Sequence, residues 1–572
     1  MRLRPTRLIL CRVLCAGAAL SAASNPPIIL KHLNAFAPMR DGVRLSTNIF
    51  RPDTNTRVPT VLVRTPYGKG ADLPAGYQIF VERGYAVVLQ DVRGRYASEG
   101  IFHPLTQEGP DGYDTLDWIA AQPWSDGKIG MIGGSYLGIA QWNVALLNNP
   151  HLKAISPVVS GDDEYRDRFY STGGALKLGH RLLWLSENLR LPSYRSPSFE
   201  RFVLHLPLRS SDRVATGRTL PLWQESLDHP SEDAFWRGVS TKRQIDRVHV
   251  PVLTFGGWYD NFVESDLSAY SALSAKNPVS RIVIGPWPHN MSIPFKEVDF
   301  GPQSSAPVRA MQLEWMDHWL KGRESPMMSE LPVRIFVMGA NQWRSERSWP
   351  ITRAKSLMLY LAAKNELVGS APKADPPDQF IYDPVNPTPT RGGAVCCNPA
   401  VFPWGPMDQR YLESRPDVLV YTSSAMKKNT EVTGPIRVVL YAATSAPDTD
   451  FTAKLVDVFP DGRAINLTDG ILRLRYRDSL EKPVLATPGQ IYEIHIDAGV
   501  TSNVFLTGHR IRLEISSSNF PRFDRNPNTG RAIADETELR KASQTVYHDR
   551  AHASHLVLPM VEYSESSISK AR

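Results

Sequence analysis

Gly130-Met131-Ile132-Gly133-Gly134-Ser135-Tyr136-Leu137-Gly138 is the stretch on which the reading of this chain turns. An apolar, strand-like run enters a serine flanked by glycines, and Ile139, Ala140, Trp142, Ala145 and Leu146 continue beyond it with helical character. This is the layout of a nucleophile elbow, a sharp strand-to-helix turn that lifts one hydroxyl above the end of a sheet while glycines leave the backbone room to bend. The usual spacing is G-x-S-x-G. Here Leu137 holds the second small-residue position and Gly138 arrives one later. By itself the turn is open to two other readings, a phosphate-binding loop and a plain chain reversal.

Around the elbow, residues 28–163 alternate strands and helices. Met39-Arg40-Asp41-Gly42-Val43 reads as a hairpin turn and 43–50 as an edge strand; 58–64 and 85–90 are β-branched runs of buried-strand type. Residues 114–122 carry helical spacing, 128–132 lead into the elbow, and 152–159 form the next strand. Such alternation implies a mostly parallel sheet covered on both faces. From 164 to 240 aromatic and leucine-rich helical segments precede a Pro/Ser/Arg-rich tract, which reads as a helical insertion. Strands resume at 250–255 and 281–284, and 311–320 is an amphipathic helix capped by Lys321-Gly322. Beyond 331 short alternating strands recur (333–337, 356–361, 417–422, 436–442, 452–458, 492–496, 510–515), the pattern of a β-sandwich or jelly roll. The expected organisation is a catalytic core over 28–163 and 241–325, a helical cap over 164–240, and a β-sandwich over 331–565.

The bulk properties exclude several classes. At 572 residues the chain needs more than one core. The formal charge is +7, but Arg2, Arg4, Arg7 and Arg12, with no acid before residue 25, supply four of it and leave +3. No Lys/Arg run points to nucleic acid, so none is expected as a partner. Residues 1–23 carry a basic start, the apolar run 13–20 and Ser21-Ala22-Ala23, the features of a secretory signal. The expected location is therefore secreted or periplasmic, with a cytoplasmic protein and misassigned start as the alternative. No later run is long enough to span a membrane, so no stable insertion is expected after cleavage. The sequence leaves oligomeric state open. No Cys/His cluster has zinc spacing and no loop resembles an EF-hand, so no metal or other cofactor is expected. Cys396 and Cys397 are adjacent in a glycine-rich loop. Two inert thiols are the preferred reading, ahead of a vicinal disulfide.

A nucleophilic serine needs a base and a group to orient that base; in an α/β-hydrolase they follow as acid, then histidine. Val252-Leu253-Thr254-Phe255-Gly256-Gly257-Trp258-Tyr259-Asp260 is an apolar strand ending in an acid, and Ile282-Val283-Ile284-Gly285-Pro286-Trp287-Pro288-His289 is another ending in histidine. Both polar residues lie just past the carboxyl end of a strand, where open α/β sheets bind ligands. Ser135, Asp260 and His289 are thus the candidate catalytic residues. The bland alternatives are a capping aspartate and a structural histidine, and His103, His180, His249 and His318 compete as bases. The backbone N–H of Tyr136 is one candidate oxyanion donor. The Tyr67 hydroxyl, at the strand end Arg64-Thr65-Pro66-Tyr67, is the other, with a simple turn at Pro66 as its alternative.

At these residues the chain resembles the CocE/NonD family of serine hydrolases, whose branches include cocaine esterases, X-Pro dipeptidyl-peptidases, glutaryl cephalosporin acylases and α-amino acid ester hydrolases. The resemblance rests on Arg64-Thr65-Pro66-Tyr67, Gln90-Asp91-Val92-Arg93-Gly94-Arg95, Ala97-Ser98-Glu99-Gly100, Gly133-Gly134-Ser135-Tyr136-Leu137-Gly138, Gly256-Gly257-Trp258-Tyr259-Asp260 and Gly285-Pro286-Trp287-Pro288-His289. It spans nearly everything after residue 28, and the family's G-x-S-Y-x-G elbow accounts for Leu137. It implies an α/β-hydrolase core with a helical cap and a C-terminal jelly roll, Ser135, Asp260 and His289 as a triad, and Tyr67 in the oxyanion hole. Asp91 and Arg93 look like scaffold residues. Asn261-Phe262-Val263 stand where the amino acid ester hydrolases carry acids, so an ammonium site would need an acid of the cap, Asp162, Asp163 or Glu164. Phe262, Phe169 and Trp184 are candidates for a pocket suited to an apolar acyl group, with plain core packing as the alternative. The expectation is a serine hydrolase acting through an acyl-enzyme on small-molecule esters, with amides as further candidate substrates. The alternatives are an X-Pro dipeptidyl-peptidase and a non-catalytic carbohydrate-binding protein.

Overall fold

The computed structural model describes residues 28–104 and 106–563. The signal segment expected over 1–23 lies outside them. Ten strands make the first sheet: β1 (Ile29–Pro38), β2 (Arg44–Pro52), β3 (Val58–Thr65), β4 (Ala86–Asp91), β5 (Ser125–Gly134), β6 (Leu152–Val158), β7 (Leu253–Tyr259), β8 (Arg281–Pro288), β9 (Val333–Val337) and β10 (Gln342–Glu346). Their order is β1-β2-β4-β3-β5-β6-β7-β8-β9-β10, parallel from β4 to β9 and antiparallel at both ends. Residues of β3, β4 and β6 are almost all buried because helices cover both faces, which is why these strands read as continuous apolar runs.

Three expectations need correction. Residues 43–50 do not form an edge: β1 pairs outside β2 and takes the edge position. The helix expected at 114–122 runs Glu108–Ala120, since Pro110 falls in its first turn, where a missing N–H costs nothing. The strand at 333–337, expected in the β-sandwich, pairs in parallel with β8 and, with β10, extends the first sheet. Its alternating pattern could not show which sheet it joins.

Residues between β6 and β7 form the helical insertion, with helices Leu178–Asn188, Phe199–Val203, Ser211–Thr216, Pro221–Asp228 and Ala234–Val239. A buried aromatic and leucine cluster, including Tyr165, Phe169, Leu182, Trp184, Trp223 and Trp236, holds it together and reaches Tyr136 and Ile139 beside the elbow. The helix Val308–Lys321 ends at Gly322 in the left-handed conformation, φ 69°, as its sequence predicts.

The second unit is all β, eleven strands joined mainly antiparallel. Its strands wrap around a core that also takes in Trp258 and Tyr259 from the end of β7 and Val263 from the helix after it. Trp258 Nε1 donates to the Phe336 carbonyl at 2.7 Å, and the Tyr259 hydroxyl donates to the Asn466 carbonyl at 3.0 Å. The segment that ends at Asp260 is thus clamped from both sides. The molecule is an α/β-hydrolase core with a helical insertion and a C-terminal β-sandwich of jelly-roll type.

Candidate active site

Ser135 sits between β5 and the helix Tyr136–Ala145 with φ 55° and ψ −125°, a strained conformation for a residue with a Cβ. Its neighbours permit the turn. At Gly133, φ 144°, a Cβ would lie 2.5 Å from the Leu137 Cβ; at Gly138 one would lie 2.5 Å from the Ser160 Cβ. As the first residue of that helix, Tyr136 has no intrahelical acceptor for its N–H, which leaves this donor at the serine.

Two further strand ends converge on the serine. His289, following β8, brings Nε2 within 3.0 Å of Ser135 Oγ, and its Nδ1 lies 2.7 Å from Asp260 Oδ1. Asp260, following β7, is fully buried, and its Oδ2 accepts the Phe262 N–H at 3.1 Å. Nearby Asp266 is also buried. Burial, then the charge of Asp260, push its pKa well above the usual carboxylate range. Two of the competing histidines make contacts outside the cleft. His103 contacts Thr106 and Glu225, and His318 contacts the Arg323 carbonyl. His180 does line the cleft, but burial first, then Arg181 and Lys177, hold it neutral.

Tyr67 is on the cleft wall as expected. Its hydroxyl accepts a hydrogen bond from Trp184 Nε1 at 3.1 Å. That bond occupies an oxygen lone pair and leaves the O–H free to donate toward the serine, with which it interacts. Burial raises the phenol's pKa, so it is a neutral donor. A buried network fixes this wall. Arg64 donates to Gln90 Oε1 at 2.8 Å and to Glu108 Oε2 at 2.7 Å, and Glu108 Oε1 accepts the Tyr136 hydroxyl at 2.7 Å. Asp91 accepts the Lys69 N–H at 2.7 Å, tying down the loop after Tyr67, and Arg93 pairs with Asp111 and Asp41. The two are scaffold, as the motif implies.

Phe169, Trp184 and Phe262 all line one narrow cleft, of about 40 Å³, with Ser135 and Tyr67. Phe262 packs on His289 with ring centroids 5.5 Å apart, and Trp184 stacks on Tyr136 at 6.4 Å. Sequence reasoning missed other members of the wall, among them Arg168, Arg181, Leu222 and the pair Cys396–Cys397. The two cysteines are joined in a disulfide, against the preferred reading of two inert thiols, and both line the cleft. They come from the β-sandwich more than 250 residues beyond the elbow, and no local spacing signals that. Of the cap acids, Glu164 reaches the cleft and is paired with Arg168; Asp163 faces Arg166 and Lys242 instead.

A strained elbow serine on an α/β-hydrolase sheet defines the class: the protein is a serine hydrolase. Comparison with known proteins agrees. Residues 41–291 match the X-Pro dipeptidyl-peptidase (S15 family) profile, and residues 327–557 match the X-Pro dipeptidyl-peptidase C-terminal non-catalytic domain. The chain is 39% identical to the cocaine esterase of Rhodococcus sp. (strain MB1 Bresler), over 92% of this chain and 98% of that protein. Among solved structures, an aminopeptidase from a marine sediment Thaumarchaeota archaeon superposes with a TM-score of 0.85 at 27% identity, covering 94% of this chain and 97% of the other. An α-amino acid ester hydrolase superposes with a TM-score of 0.81 at 26% identity, covering 96% and 99%. The chain belongs to the CocE/NonD family of serine ester hydrolases. The non-catalytic reading falls with that.

Proposed function

We propose that the protein cleaves small carboxylic esters through an acyl-enzyme on Ser135. The observation that carries this reading is the continuous chain Ser135 Oγ, His289 and Asp260, with contacts of 3.0 and 2.7 Å. Ser135 Oγ attacks the carbonyl carbon while His289 Nε2 takes its proton. Asp260 holds the imidazole in the tautomer that leaves Nε2 free to accept, and stabilises the imidazolium. The carbonyl oxygen becomes an oxyanion and accepts from the Tyr136 N–H and the Tyr67 hydroxyl. As the intermediate collapses the C–O bond breaks, the leaving alcohol takes the proton from His289, and the acyl group stays on Oγ. Water then repeats the sequence, releasing the acid and restoring the serine. A fluorophosphonate should label the wild type and leave Ser135→Ala unlabelled; equal labelling of the two would rule out this serine.

Cleft charge argues against an X-Pro dipeptidyl-peptidase. That activity calls for a free carboxylate to receive the substrate's ammonium, yet Glu164 is already committed to Arg168, and Arg181 adds a second cation. An incoming ammonium would meet net positive charge in a site of low polarisability, where like charges repel strongly.

A further inference from the structure

The cleft beside Ser135 holds more positive charge than its own groups balance. Its charged side chains are two guanidinium groups, Arg168 and Arg181, and one carboxylate, Glu164. Glu164 pairs with Arg168, which leaves Arg181 without a carboxylate partner among the described residues. Arg181 Nε and Nη2 both donate to a single acceptor, the Arg168 carbonyl, at 3.1 and 2.8 Å. The Nη1 group has no acceptor among the described residues. The guanidinium lies 4.3 Å from the Phe169 ring centre and 5.6 Å from that of Trp184, the residue that bonds the Tyr67 hydroxyl. Arg181 is only 6% exposed. Two more polar atoms of the trio, Arg168 Nε and Glu164 Oε2, are buried without a partner.

Such a group is expensive to keep. Removing a cation from water is unfavourable unless an anion and hydrogen bonds replace the solvent. Burial and the neighbouring Arg168 both work against its charge. The flanking rings recover part of this through cation–π attraction. A residue needed only to fill this wall could be apolar at no such cost. A guanidinium that lines a cleft and keeps its Nη1 group without an acceptor can give a charge-assisted hydrogen bond to a carboxylate oxygen.

We infer that Arg181 is a specificity-determining residue, placed to receive a carboxylate carried at the far end of the acyl group, so that the preferred substrates are esters of acyl groups bearing a terminal anion. This rests on Ser135 as the nucleophile. The anion balances the odd cation of the cleft, and the aromatic walls take the methylene spacer. The same charge disfavours an ammonium-bearing acyl group.

The test compares two esters with six-carbon acyl groups and one leaving group, mono-4-nitrophenyl adipate and 4-nitrophenyl hexanoate. Wild-type enzyme should show the higher kcat/KM on the adipate ester. Arg181→Leu should lower the adipate-to-hexanoate ratio by roughly 10- to 100-fold, the scale of one charge-assisted hydrogen bond. Arg181→Lys should recover part of it. If Arg181 instead only assisted the oxyanion through Tyr67, both esters would lose rate equally and the ratio would hold, which overturns the inference. A variant that fails to fold does not block the test, because wild-type hydrolysis of the hexanoate should be inhibited competitively by adipate and not by adipamide. Equal inhibition by both, or no preference between the esters, overturns it. Fluorophosphonate labelling separates the two levels: a labelled Ser135 with no anionic preference sinks this inference alone, and an unlabelled, inactive wild type sinks the nucleophile assignment as well.

Discussion

Tyr67 shows what a single side chain does in this site. Its hydroxyl accepts the Trp184 bond, and its ring packs edge-on against Tyr136, centroids 6.5 Å apart, which the Arg64–Glu108 network holds in turn; on the proposed mechanism this aims the hydroxyl before any substrate arrives. A donor aimed in advance needs no reorganisation as charge develops on the oxygen. Tyr67→Phe keeps the ring and removes only the donor. It should lower kcat for a simple aryl ester by about 10²- to 10³-fold with little change in KM, the scale seen for losing one oxyanion-hole donor. A loss under threefold in steady-state kinetics would return Tyr67 to the role of a wall residue. The same reasoning explains why the residue was legible in the sequence only in part: its strand-end position was readable, whereas its hydrogen-bond donor comes from Trp184, 117 residues away in the insertion.

At the scale of one element, the elbow is a packing problem as much as a backbone one. The helix Tyr136–Ala145 lies close enough to β6 that Gly138 has no room for a methyl group: a Cβ would sit 2.5 Å from the Ser160 Cβ and 3.4 Å from the Pro157 Cβ. Gly138→Ala should therefore destabilise the protein by roughly 1–3 kcal/mol, as overpacking does. It should also slow fluorophosphonate labelling, because the helix carrying the Tyr136 donor must shift. Denaturant titration and labelling rates on the same preparation check both. An unchanged midpoint would mean that the helix backs away without penalty. Here the sequence was informative, since the glycine displaced by one position is the one the packing demands.

Across the whole molecule, the insertion and the β-sandwich meet through buried charge. Arg473 pairs with Asp450 and Asp524, both at 2.9 Å, and Asp524 accepts the Leu176 N–H of the insertion at 2.8 Å. Burial outweighs the pull of Arg473 and raises Asp450 to a pKa of about 6. In the unfolded chain the same group ionises near 4. The folded state therefore holds this proton more tightly, and its contribution to stability, present below about pH 4, is lost as pH rises toward 6. Asp450→Asn cannot ionise. Whatever its effect on the absolute melting temperature, it should flatten the decline of melting temperature with pH between 4 and 6. Wild type and variant with parallel slopes in thermal scans would show that Asp450 titrates normally.

By itself, the sequence determined the order of the units, the elbow, and the acid and histidine at two later strand ends, because each is written in local signals: apolar runs, glycines at a turn, a polar residue where a strand stops. It also carried the family resemblance through Tyr67. Tertiary structure alone decided the membership of the strand at 333–337, since its parallel partner lies 51 residues earlier, Ile282 against Val333, and its own pattern cannot name it. It alone decided the cleft's chemistry too. Cys396 and Cys397 arrive from the β-sandwich, and Arg168, Arg181 and Glu164 come from the insertion. On paper these are ordinary charged residues in a helical tract. Burial in one small space puts them on the wall of the cleft that holds Ser135, and burial is a property that only the folded chain has.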